Sequence, residues 1–312
     1  MIIRAIHPAE IPAFVEAATR AEDAEAIQTY LDRLLTGGYT QAAWCFVAEE
    51  AGQFVGRVAY WTLPCKGQPT DIVLLDLPWE HDYRTSGTRL LAESAAIMRR
   101  HGATDLEYVL DLPALAPQWQ HFPEQRQHLL AQAGFVQIRE TLRFSLDHPP
   151  AIAPGPARLT FHTLAEAGEV AFLDAIARVS AGSLDQRDRD DRAEQGATGA
   201  ARTLFRIVQS LDHDPGWWQL AYAASGELVG LVMPAGTPSW STIGYIGVVP
   251  EQRGRGYIND LLAQGTALLA ASGTTRIETD TDVANTPMAA AFRRAGYTRF
   301  ATRREYRRRQ AG

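Results

Sequence analysis

The residues with the clearest chemical potential form a glycine-rich segment late in the chain. Arg253-Gly254-Arg255-Gly256 follows the β-branched pair Val248-Val249 and precedes Tyr257 and Ile258, where a helical spacing of apolar residues begins. Glycine lets backbone N–H groups approach a ligand closely, and the first turn of a helix leaves its N–H groups unpaired at the positive end of the helix dipole. The pattern predicts a phosphate or pyrophosphate site at a strand-to-helix turn. A tight turn with two surface arginines is the simpler alternative.

Three carboxylates, Glu278, Asp280 and Asp282, alternate along the next predicted strand. A period of two places them on one face, which would be costly to bury without water or charge partners. Such a cluster would attract a cationic amine and raise the pKa of one member, as a general base requires. Asp280 and Asp282 are the better candidates because they lie nearer the C-terminal end of the strand. A solvated strand end or internal arginine pairs would explain the same pattern.

The order Val-x-Pro-x-x-Arg-Gly-x-Gly over residues 248–256 resembles the acyl-CoA-binding loop of the GNAT N-acetyltransferase superfamily. In that family the backbone of the loop holds the CoA pyrophosphate. Arg253 takes the first position of the family motif, Gly256 takes the central glycine, and Ile258 stands where the family usually has Gly or Ala. The resemblance is specific over residues 240–306.

The resemblance also implies how the strand before the loop would hold the cofactor. That strand would splay from its neighbour, the pantetheine would pair with Ile246 and Val248, and an N–H near Gly247 or Val248 would face the thioester oxygen. Gly244 and Gly247 fit this implication, since glycine inside a strand marks a bulge or a close backbone approach. The implied cofactor-binding residues are Ile246, Gly247, Val248, Val249, Arg253, Gly254, Arg255, Gly256, Tyr257, Ile258, Asn285 and Phe292.

The segment from Asn285 to Tyr297 resembles the next family motif, with Asn285 matching its asparagine. The family tyrosine that often protonates the CoA thiolate falls on Phe292, and a phenyl ring cannot donate a proton. Another group such as Tyr245 would serve, or water would assist the thiolate, or this copy would be a weak catalyst. The predicted catalytic residues are Asp280, Asp282, Glu278 and Tyr245.

Composition limits the function classes. The 312 residues are 46% hydrophobic and 21% charged, as in a globular protein, and the net charge of −6 makes nucleic-acid binding unlikely. Cys45 and Cys65 form no disulfide framework and are expected to be reduced and partly buried. The histidines show no metal-ligand spacing, so no metal is expected. Without a signal sequence or an apolar run of membrane-span length, we expect a cytoplasmic protein with no membrane partner.

The two halves of the chain look like a diverged repeat. Ala133-Gly134-Phe135 and Ala295-Gly296-Tyr297 each lead into a last strand, and a proline-rich segment separates the halves. We predict an N-terminal GNAT-like domain over 1–147, a linker over 148–157 and a C-terminal GNAT domain with the acyl-CoA site over 158–312. Each domain is expected to be α/β (α+β), with a mixed, mostly antiparallel sheet flanked by helices. Arg89 replaces the last small residue of the loop pattern in the first half, so that domain is expected to have lost CoA binding.

The charged run from Leu184 to Arg192 is predicted to be a solvated loop before a helix over residues 192–211. In the GNAT fold such a segment would join the first two helices, a region that often covers the acceptor. A lid role is the alternative for this run.

The function these features favour is an acyl-CoA-dependent N-acyltransferase that acts on a primary amine of a small molecule, with acetyl-CoA as the expected donor. One alternative is a non-catalytic acyl-CoA-binding or regulatory protein, which the phenylalanine at position 292 and the degenerate first copy would suit. A weaker alternative is transfer of an aminoacyl group from charged tRNA. The protein is expected to be a monomer or homodimer.

Overall fold

The computed structural model describes residues 1–17, 20–63, 66–150, 158–236 and 240–309, which fold into two compact units. The N-terminal unit comprises Met1–Glu140 together with the residues from Thr302 onward. The C-terminal unit comprises Thr141–Ala301. Two strands, β6 (Val136–Asp147) and β12 (Thr298–Arg309), therefore each contribute their second half to a unit other than the one in which they begin.

The N-terminal unit has six strands in the order β1-β2-β3-β4-β5-β12. The pair β4-β5 is parallel. The pairs β1-β2, β2-β3, β3-β4 and β5-β12 are antiparallel. The elements other than β12 are β1 (Ile2–Ala5), α1 (Ile11–Glu16), α2 (Ala24–Thr36), β2 (Cys45–Glu50), β3 (Gln53–Trp61), β4 (Asp71–Asp76), α3 (Tyr83–Arg100), β5 (Asp105–Leu112) and α4 (Pro123–Gln132).

Helices cover both faces of this sheet because its central strands bury side chains on both sides. Val58, Ala59 and Tyr60 of β3 are all fully buried. On α2, Ile27, Leu31 and Leu34 recur at helical spacing and form its buried stripe. Cys45 is also buried, as expected, and burial raises the pKa of its thiol to about 12. Cys65 lies outside the described residues.

The C-terminal unit has six strands in the order β6-β11-β10-β9-β8-β7, of which β10 and β11 are parallel. The pairs β6-β11, β9-β10, β8-β9 and β7-β8 are antiparallel. This confirms the prediction of a mixed, mostly antiparallel sheet flanked by helices. The elements besides β6 are β7 (Leu159–Thr163), α5 (Leu164–Ala167), α6 (Glu169–Val179), α7 (Gln186–Gln209), β8 (Gln219–Ala223), β9 (Leu228–Gly236), β10 (Ser241–Val248), α8 (Tyr257–Ala271), β11 (Arg276–Asp282) and α9 (Thr286–Arg294).

The division into units differs from the expected domain boundaries at 147 and 158. Residues 141–147 of β6 pair with β11 in the C-terminal unit, and residues 302–309 of β12 pair with β5 in the N-terminal unit. Of the expected linker over 148–157, residues 151–157 lie outside the described residues. The boundaries of the sequence repeat therefore differ from those of the two units. The reason is that β6, the last strand of the first half, pairs with β11, and β12, the last strand of the second half, pairs with β5.

The charged run after Leu184 is helical, which corrects the prediction of a loop. The carboxylate of Asp185 accepts hydrogen bonds from the N–H groups of Arg187 (2.9 Å) and Asp188 (3.4 Å), so it caps the start of α7. Gly196 interrupts this helix with a φ of 70°. The capping residue, which the charge pattern obscures, sets the start six residues earlier than predicted.

Candidate functional site

The strands β10 and β11 separate after the first residues of β10. Their parallel ladder registers one pair among the described residues, Ser241 with Ile277, whereas β10 remains paired with β9 as far as Val248 and Gly230. Next along β10, the N–H of Val249 donates to the carbonyl of Val229 on β9 (2.9 Å). Since neighbouring residues of a strand direct their backbone groups to opposite edges, those of Ile246 and Val248 lie on the edge that faces away from β9. The result is an open wedge beside β10.

Both strand glycines have a steric function. The β10–β9 register shifts between Ile243 and Tyr245, so Gly244 lies in a bulge. A Cβ on Gly247 would lie 2.2 Å from Cγ1 of Val179, at the end of α6. Gly247 therefore lets α6 lie close against β10.

The segment between β10 and α8 forms a cradle of backbone N–H groups. Gly254 and Gly256 have φ values of 77° and 79°, which glycine adopts without the strain of a Cβ. Gly256 is the N-cap of α8 and supplies no capping side chain. In the part of the chain that the structure describes, the backbone N–H groups of residues 254–258 donate no hydrogen bond. These donors lie at the positive end of the α8 dipole.

The cradle is open and its surroundings are basic. A Cβ on Gly254 would meet no atom within 4 Å, and one on Gly256 would approach side-chain nitrogens of Asn259 (3.7 Å) and Arg158 (3.9 Å). The guanidinium of Arg158 lies over the ring of Tyr257 (5.0 Å) and bonds to Asp260. Arg255 is exposed. Ile258 packs partly into the apolar core and so does not fill the cradle.

Arg253 has a different position from the one its motif suggests. Its guanidinium donates to the carbonyls of Val248 (3.1 Å), Val179 (2.8 Å), Ala181 (2.9 Å) and Gly182 (3.2 Å). The last three carbonyls lie at the C-terminal end of α6, where a cation is favourable. Arg253 therefore holds the end of α6 against the loop, with most of its N–H donors in use.

Two of the three carboxylates on β11 have structural partners. Glu278 accepts from Arg143 (2.9 Å) and from Arg276 (2.9 Å), which is the internal arginine pairing that the sequence left open. Asp282 is 4% exposed and accepts from the N–H groups of Gln186 (3.1 Å) and Ala284 (2.9 Å). Asp282 thus joins the start of α7 to the end of β11.

Asp280 is the exposed member of the three, and among the described residues its carboxylate has no hydrogen-bond or ion-pair partner. It lies on the same face of β11 as Glu278 and Asp282, as the alternation predicted. Its carboxylate is consequently the one that is available to a ligand.

Tyr245 directs its hydroxyl to α7, where it donates to the carboxylate of Asp188 (3.3 Å). Burial, together with the negative charges of Asp188 and Asp185, raises the pKa of this phenol well above 10. The hydroxyl therefore remains protonated at neutral pH.

Phe292 is 1% exposed and packs between Phe144 (5.2 Å between ring centroids) and Tyr297 (5.4 Å). It is a core residue in this structure. Asn285 caps α9, since its side-chain oxygen accepts from the N–H of Met288 (3.3 Å).

The corresponding wedge in the N-terminal unit is filled by two buried side chains. The strands β4 and β5 pair in parallel at Asp71–Glu107 and Ile72–Tyr108. Beyond that point, Arg126 donates to the carbonyl of Leu75 and to the hydroxyl of Tyr108 (3.0 Å).

Gln120 fills the other side of this gap. Its amide accepts from the N–H of Asp111 (2.9 Å) and donates to the carbonyl of Val109 (2.5 Å) on β5. A side-chain amide therefore occupies backbone groups of β5 on this side of the gap.

The helix after β4 also lacks a free anion cradle. Asp82 is the N-cap of α3, and its carboxylate accepts from the N–H (3.4 Å) and the hydroxyl (3.1 Å) of Thr85. This negative charge occupies the end of the helix that Gly256 leaves open in α8. Arg89 lies one turn later and pairs with Glu93 (3.0 Å), so it is not the group that closes this site.

Sequence reasoning missed the partners that come from distant segments. Arg126, Gln120, Asp188 and Arg158 lie in no recognised motif, and each meets its site through the fold. A buried arginine inside a helix that starts with proline gives no local signal of its partners. Among the described residues, no group of three or more His, Cys, Asp or Glu could hold a metal ion.

Comparison with protein families decides which fold this geometry represents. Residues 183–297, which include β10, the cradle, β11 and α9, match the model of the acetyltransferase (GNAT) family. This segment of the chain is therefore similar to the GNAT acetyltransferase family. The open wedge and the cradle both lie within the matched residues.

Solved structures show that the GNAT fold extends over both halves of the chain. A GCN5-related N-acetyltransferase from Sphaerobacter thermophilus has 20% identity and a TM-score of 0.67, with 99% of this chain and 95% of that chain covered. A tandem GNAT protein from the clavulanic acid biosynthesis pathway has 18% identity and a TM-score of 0.53, with 100% and 99% covered. A GCN5-related N-acetyltransferase from Kribbella flavida has 15% identity and a TM-score of 0.53, with 94% and 98% covered.

These likenesses support two tandem GNAT-like domains, as the sequence predicts. No curated protein matches the chain. No helix in the described ranges combines the length and apolar character that crossing a membrane requires.

Proposed function

We propose that the protein is an acyl-CoA-dependent N-acyltransferase that uses acetyl-CoA and acts on a primary amine of a small molecule. The observation that carries this proposal is the open wedge beside β10, which leads to an uncapped, glycine-rich helix start in the same unit. A strand edge with free backbone groups suits the amides of a pantetheine arm. The cradle of N–H groups suits a pyrophosphate.

In this proposal the residues of the cradle bind the pyrophosphate through their backbone, with Arg255 adding positive charge. Ile246 and Val248, whose backbone groups face the wedge, present N–H groups to the pantetheine and to the thioester oxygen. Arg253 acts by positioning the loop, because its guanidinium already bonds to four carbonyls. Asn285 and Phe292 contribute by fixing α9.

The reaction needs a base for the amine and a proton for the departing thiolate. We assign the base to Asp280, the exposed carboxylate on β11. We assign the acid to Tyr245, whose phenol is kept protonated by burial and by Asp188. The amine nitrogen forms a bond to the thioester carbon, the carbon–sulfur bond breaks, and the phenol proton passes to the thiolate. Glu278 and Asp282 hold the strand in place.

The acidic residues around this position favour a cationic acceptor. Asp280 is exposed on β11, and Asp185 and Asp188 lie near the hydroxyl of Tyr245. Opposite charge raises the local concentration of a protonated amine. A cytoplasmic location, a monomeric or homodimeric state and the absence of a nucleic-acid partner remain predictions from the sequence.

Isothermal titration with acetyl-CoA tests the proposal directly. Wild-type protein is expected to bind one equivalent with micromolar affinity, and Gly256→Arg is expected to abolish binding because its side chain would fill the cradle. Gly273→Arg is the matched control, since Gly273 has a φ of 85°, no atom within 4 Å of its Cβ position, and lies at the other end of α8. Equal loss in both variants, or no binding to the wild type, would reject the assignment.

The packing of Phe292 favours a second candidate, a non-catalytic acyl-CoA-binding protein. The position where related enzymes often have a tyrosine acid holds a buried phenyl ring. Turnover of a panel of amines separates the two. Product formation that is lost in Asp280→Asn and Tyr245→Phe, with acetyl-CoA affinity unchanged, supports catalysis. Tight binding without turnover of any amine supports the second candidate.

A further inference from the structure

A small cavity in the N-terminal unit lies beside the wedge that Arg126 and Gln120 fill. Its walls come from the start of α2, the middle of β3, the end of β4, and the first turn of α4 with the segment before it. The volume of this cavity is about 30 Å³. That is room for roughly two or three water molecules, or for a group of formate or acetate size.

The innermost wall carries an excess of positive charge. Arg57 and Arg126 are 0% and 1% exposed, and both bond to the single carboxylate of Asp76, at 2.7 Å each. Burial alone would raise the pKa of Asp76, but the two guanidinium charges lower it below its usual 3.8, so the carboxylate is ionised. Two buried cations thus share one buried anion. Buried charge without a partner is costly, which favours a further anion at this wall.

The remaining charged residues of the wall do not cancel this excess. Asp23 bonds to His121 (2.9 Å), and Arg20 lies over the ring of Phe122 (5.6 Å). The charges of Asp23 and Arg20 offset each other. Among its arginines and aspartates, the wall therefore remains positive by one unit.

Hydrogen-bond donors are also in surplus at the cavity. An arginine has five N–H donors. Arg57 uses four, two to Asp76 and one each to the carbonyls of Phe14 and Val15. Arg126 also uses four, to His121, Leu75, Tyr108 and Asp76. One N–H on Nη2 of each guanidinium is left over.

Two tryptophans add further unused donors. Trp79 and Trp119 both line the cavity, and the Nε1 atoms of both are buried with no hydrogen-bond partner. Trp79 is 5% exposed. Buried indole N–H groups usually have a partner, and a donor left unsatisfied costs about 1–3 kcal/mol. Neighbouring residues Trp119 and Phe122 hold φ values of 44° and 59°, which non-glycine residues rarely adopt outside constrained sites.

We propose that this cavity binds a carboxylate, either a small free one or the terminal carboxylate of a larger molecule. A carboxylate accepts several hydrogen bonds and donates none, so it matches a wall with four spare N–H donors and one excess positive charge. Its small size suits a cavity that Trp79 and Trp119 both line. The site lies entirely in the N-terminal unit and does not depend on the proposed acyltransferase activity.

Indole resonances in ¹⁵N–¹H correlation spectra of the full-length protein report on the site without altering it. Sodium acetate is the probe, acetamide is its neutral counterpart, and sodium chloride controls for ionic strength. Acetate is expected to shift the indole N–H signals of Trp79 and Trp119 downfield in a saturable way, whereas acetamide and chloride leave them in place. Trp44 is the internal control because its Nε1 is also buried and unpartnered but does not line the cavity.

Single substitutions assign the signals and test the donors. Trp119→Phe, at a half-buried position, is expected to weaken acetate binding about 5- to 10-fold, the loss of one charge-assisted hydrogen bond. Trp44→Phe should leave the affinity unchanged. An acetate analogue with a longer chain that shifts the same signals at lower concentration would identify the terminal carboxylate of a larger ligand.

Three results would overturn the proposal. The first is an absence of acetate-dependent shifts in Trp79 and Trp119. The second is an equal response to acetamide, which would indicate a neutral site. The third is an equal response of Trp44, which would indicate a general solvent effect.

Discussion

The carboxylates of β11 are chemically similar residues with three different environments. Glu278 is paired with two arginines, Asp282 accepts two backbone hydrogen bonds, and Asp280 faces solvent. Their alternation places them on one face, but their roles depend on which segments pack against each position. The same substitution at Asp280 and at Asp282 should therefore have different effects on the free energy of unfolding.

Asp282→Ala is expected to lower the free energy of unfolding by about 1–3 kcal/mol, because the N–H groups of Gln186 and Ala284 lose their acceptors in a buried position. Asp280→Ala, two residues earlier on the same face, should change it by less than about 0.5 kcal/mol. Urea denaturation of both variants checks this. Similar losses in the two variants would show that Asp282 does not anchor α7 to β11.

The buried phenols predict a pH dependence at the alkaline end. Burial raises the pKa of Tyr297 to about 12, and its hydroxyl bonds to that of Thr266 (2.7 Å). Above about pH 10 the phenol ionises in the unfolded chain but not in the folded protein. Ionisation then favours the unfolded chain, so stability falls as pH rises from 10 toward 12.

Tyr297→Phe should therefore reduce the slope of this decline, although the variant is less stable at neutral pH because it lacks the hydrogen bond. Denaturation curves of the wild type and the variant between neutral pH and about pH 11 measure how the free energy of unfolding changes with pH. An unchanged slope would mean that Tyr297 does not contribute to the alkaline loss.

At the scale of the element, the position of β10 depends on how closely α6 can approach it. The missing side chain at Gly247 makes room for Val179, and Arg253 fixes the end of α6 by bonding to its last carbonyls. Neighbouring residues of β10 therefore have two functions. Ile246 and Val248 form the open edge beside β11, and Gly247 between them allows α6 to pack on the face of β10.

Gly247→Ala is expected to destabilise the protein by about 1–3 kcal/mol, since the new Cβ would lie 2.2 Å from a branched, stiff side chain. The double variant Gly247→Ala/Val179→Ala should recover part of this loss, and a double-mutant cycle from thermal or urea unfolding measures the coupling. Strict additivity of the two effects would show that Val179 is not the obstacle.

The two helices that follow the parallel strands show how one element can keep or lose a binding function. The first turn of α8 begins at Gly256 and keeps its donors, whereas the first turn of α3 begins at Asp82, which supplies its own carboxylate. The same local geometry is an anion site in one case and a capped helix in the other.

At the scale of the molecule, the last strand of the chain belongs to the fold of the first unit. Residues Thr302–Arg309 of β12 pair with all of β5, and Arg303 and Arg307 bond to Asp111 and Glu107 on that strand. Tyr306 lies in the core of the N-terminal unit and is 6% exposed.

Tyr306→Ala is accordingly expected to destabilise the N-terminal unit by about 3 kcal/mol, the cost of deleting a large buried aromatic side chain. Hydrogen exchange followed by mass spectrometry should show faster exchange in β5 than in the wild type. Arg309→Ala, at the exposed end of the same strand, is the control. Faster exchange confined to the C-terminal unit would contradict this assignment of β12.

The sequence determined the features that depend on near neighbours along the chain. The glycines at 254 and 256, followed by a helical apolar period, were sufficient to predict the strand, the turn and the open helix start. The alternation on β11 predicted its two faces. The start of α7 was missed because many charged residues masked one capping aspartate, although that signal was local.

Only the tertiary structure decided which predicted groups remain free to bind. Arg253 is held by carbonyls of α6, Asp282 by the start of α7, and the wedge of the N-terminal unit is closed by Arg126 and Gln120. These bonds span between 11 and 96 residues of sequence, so no local pattern specifies them. A side chain's chemistry is set by its residue type, but its availability depends on the contacts that folding brings to it.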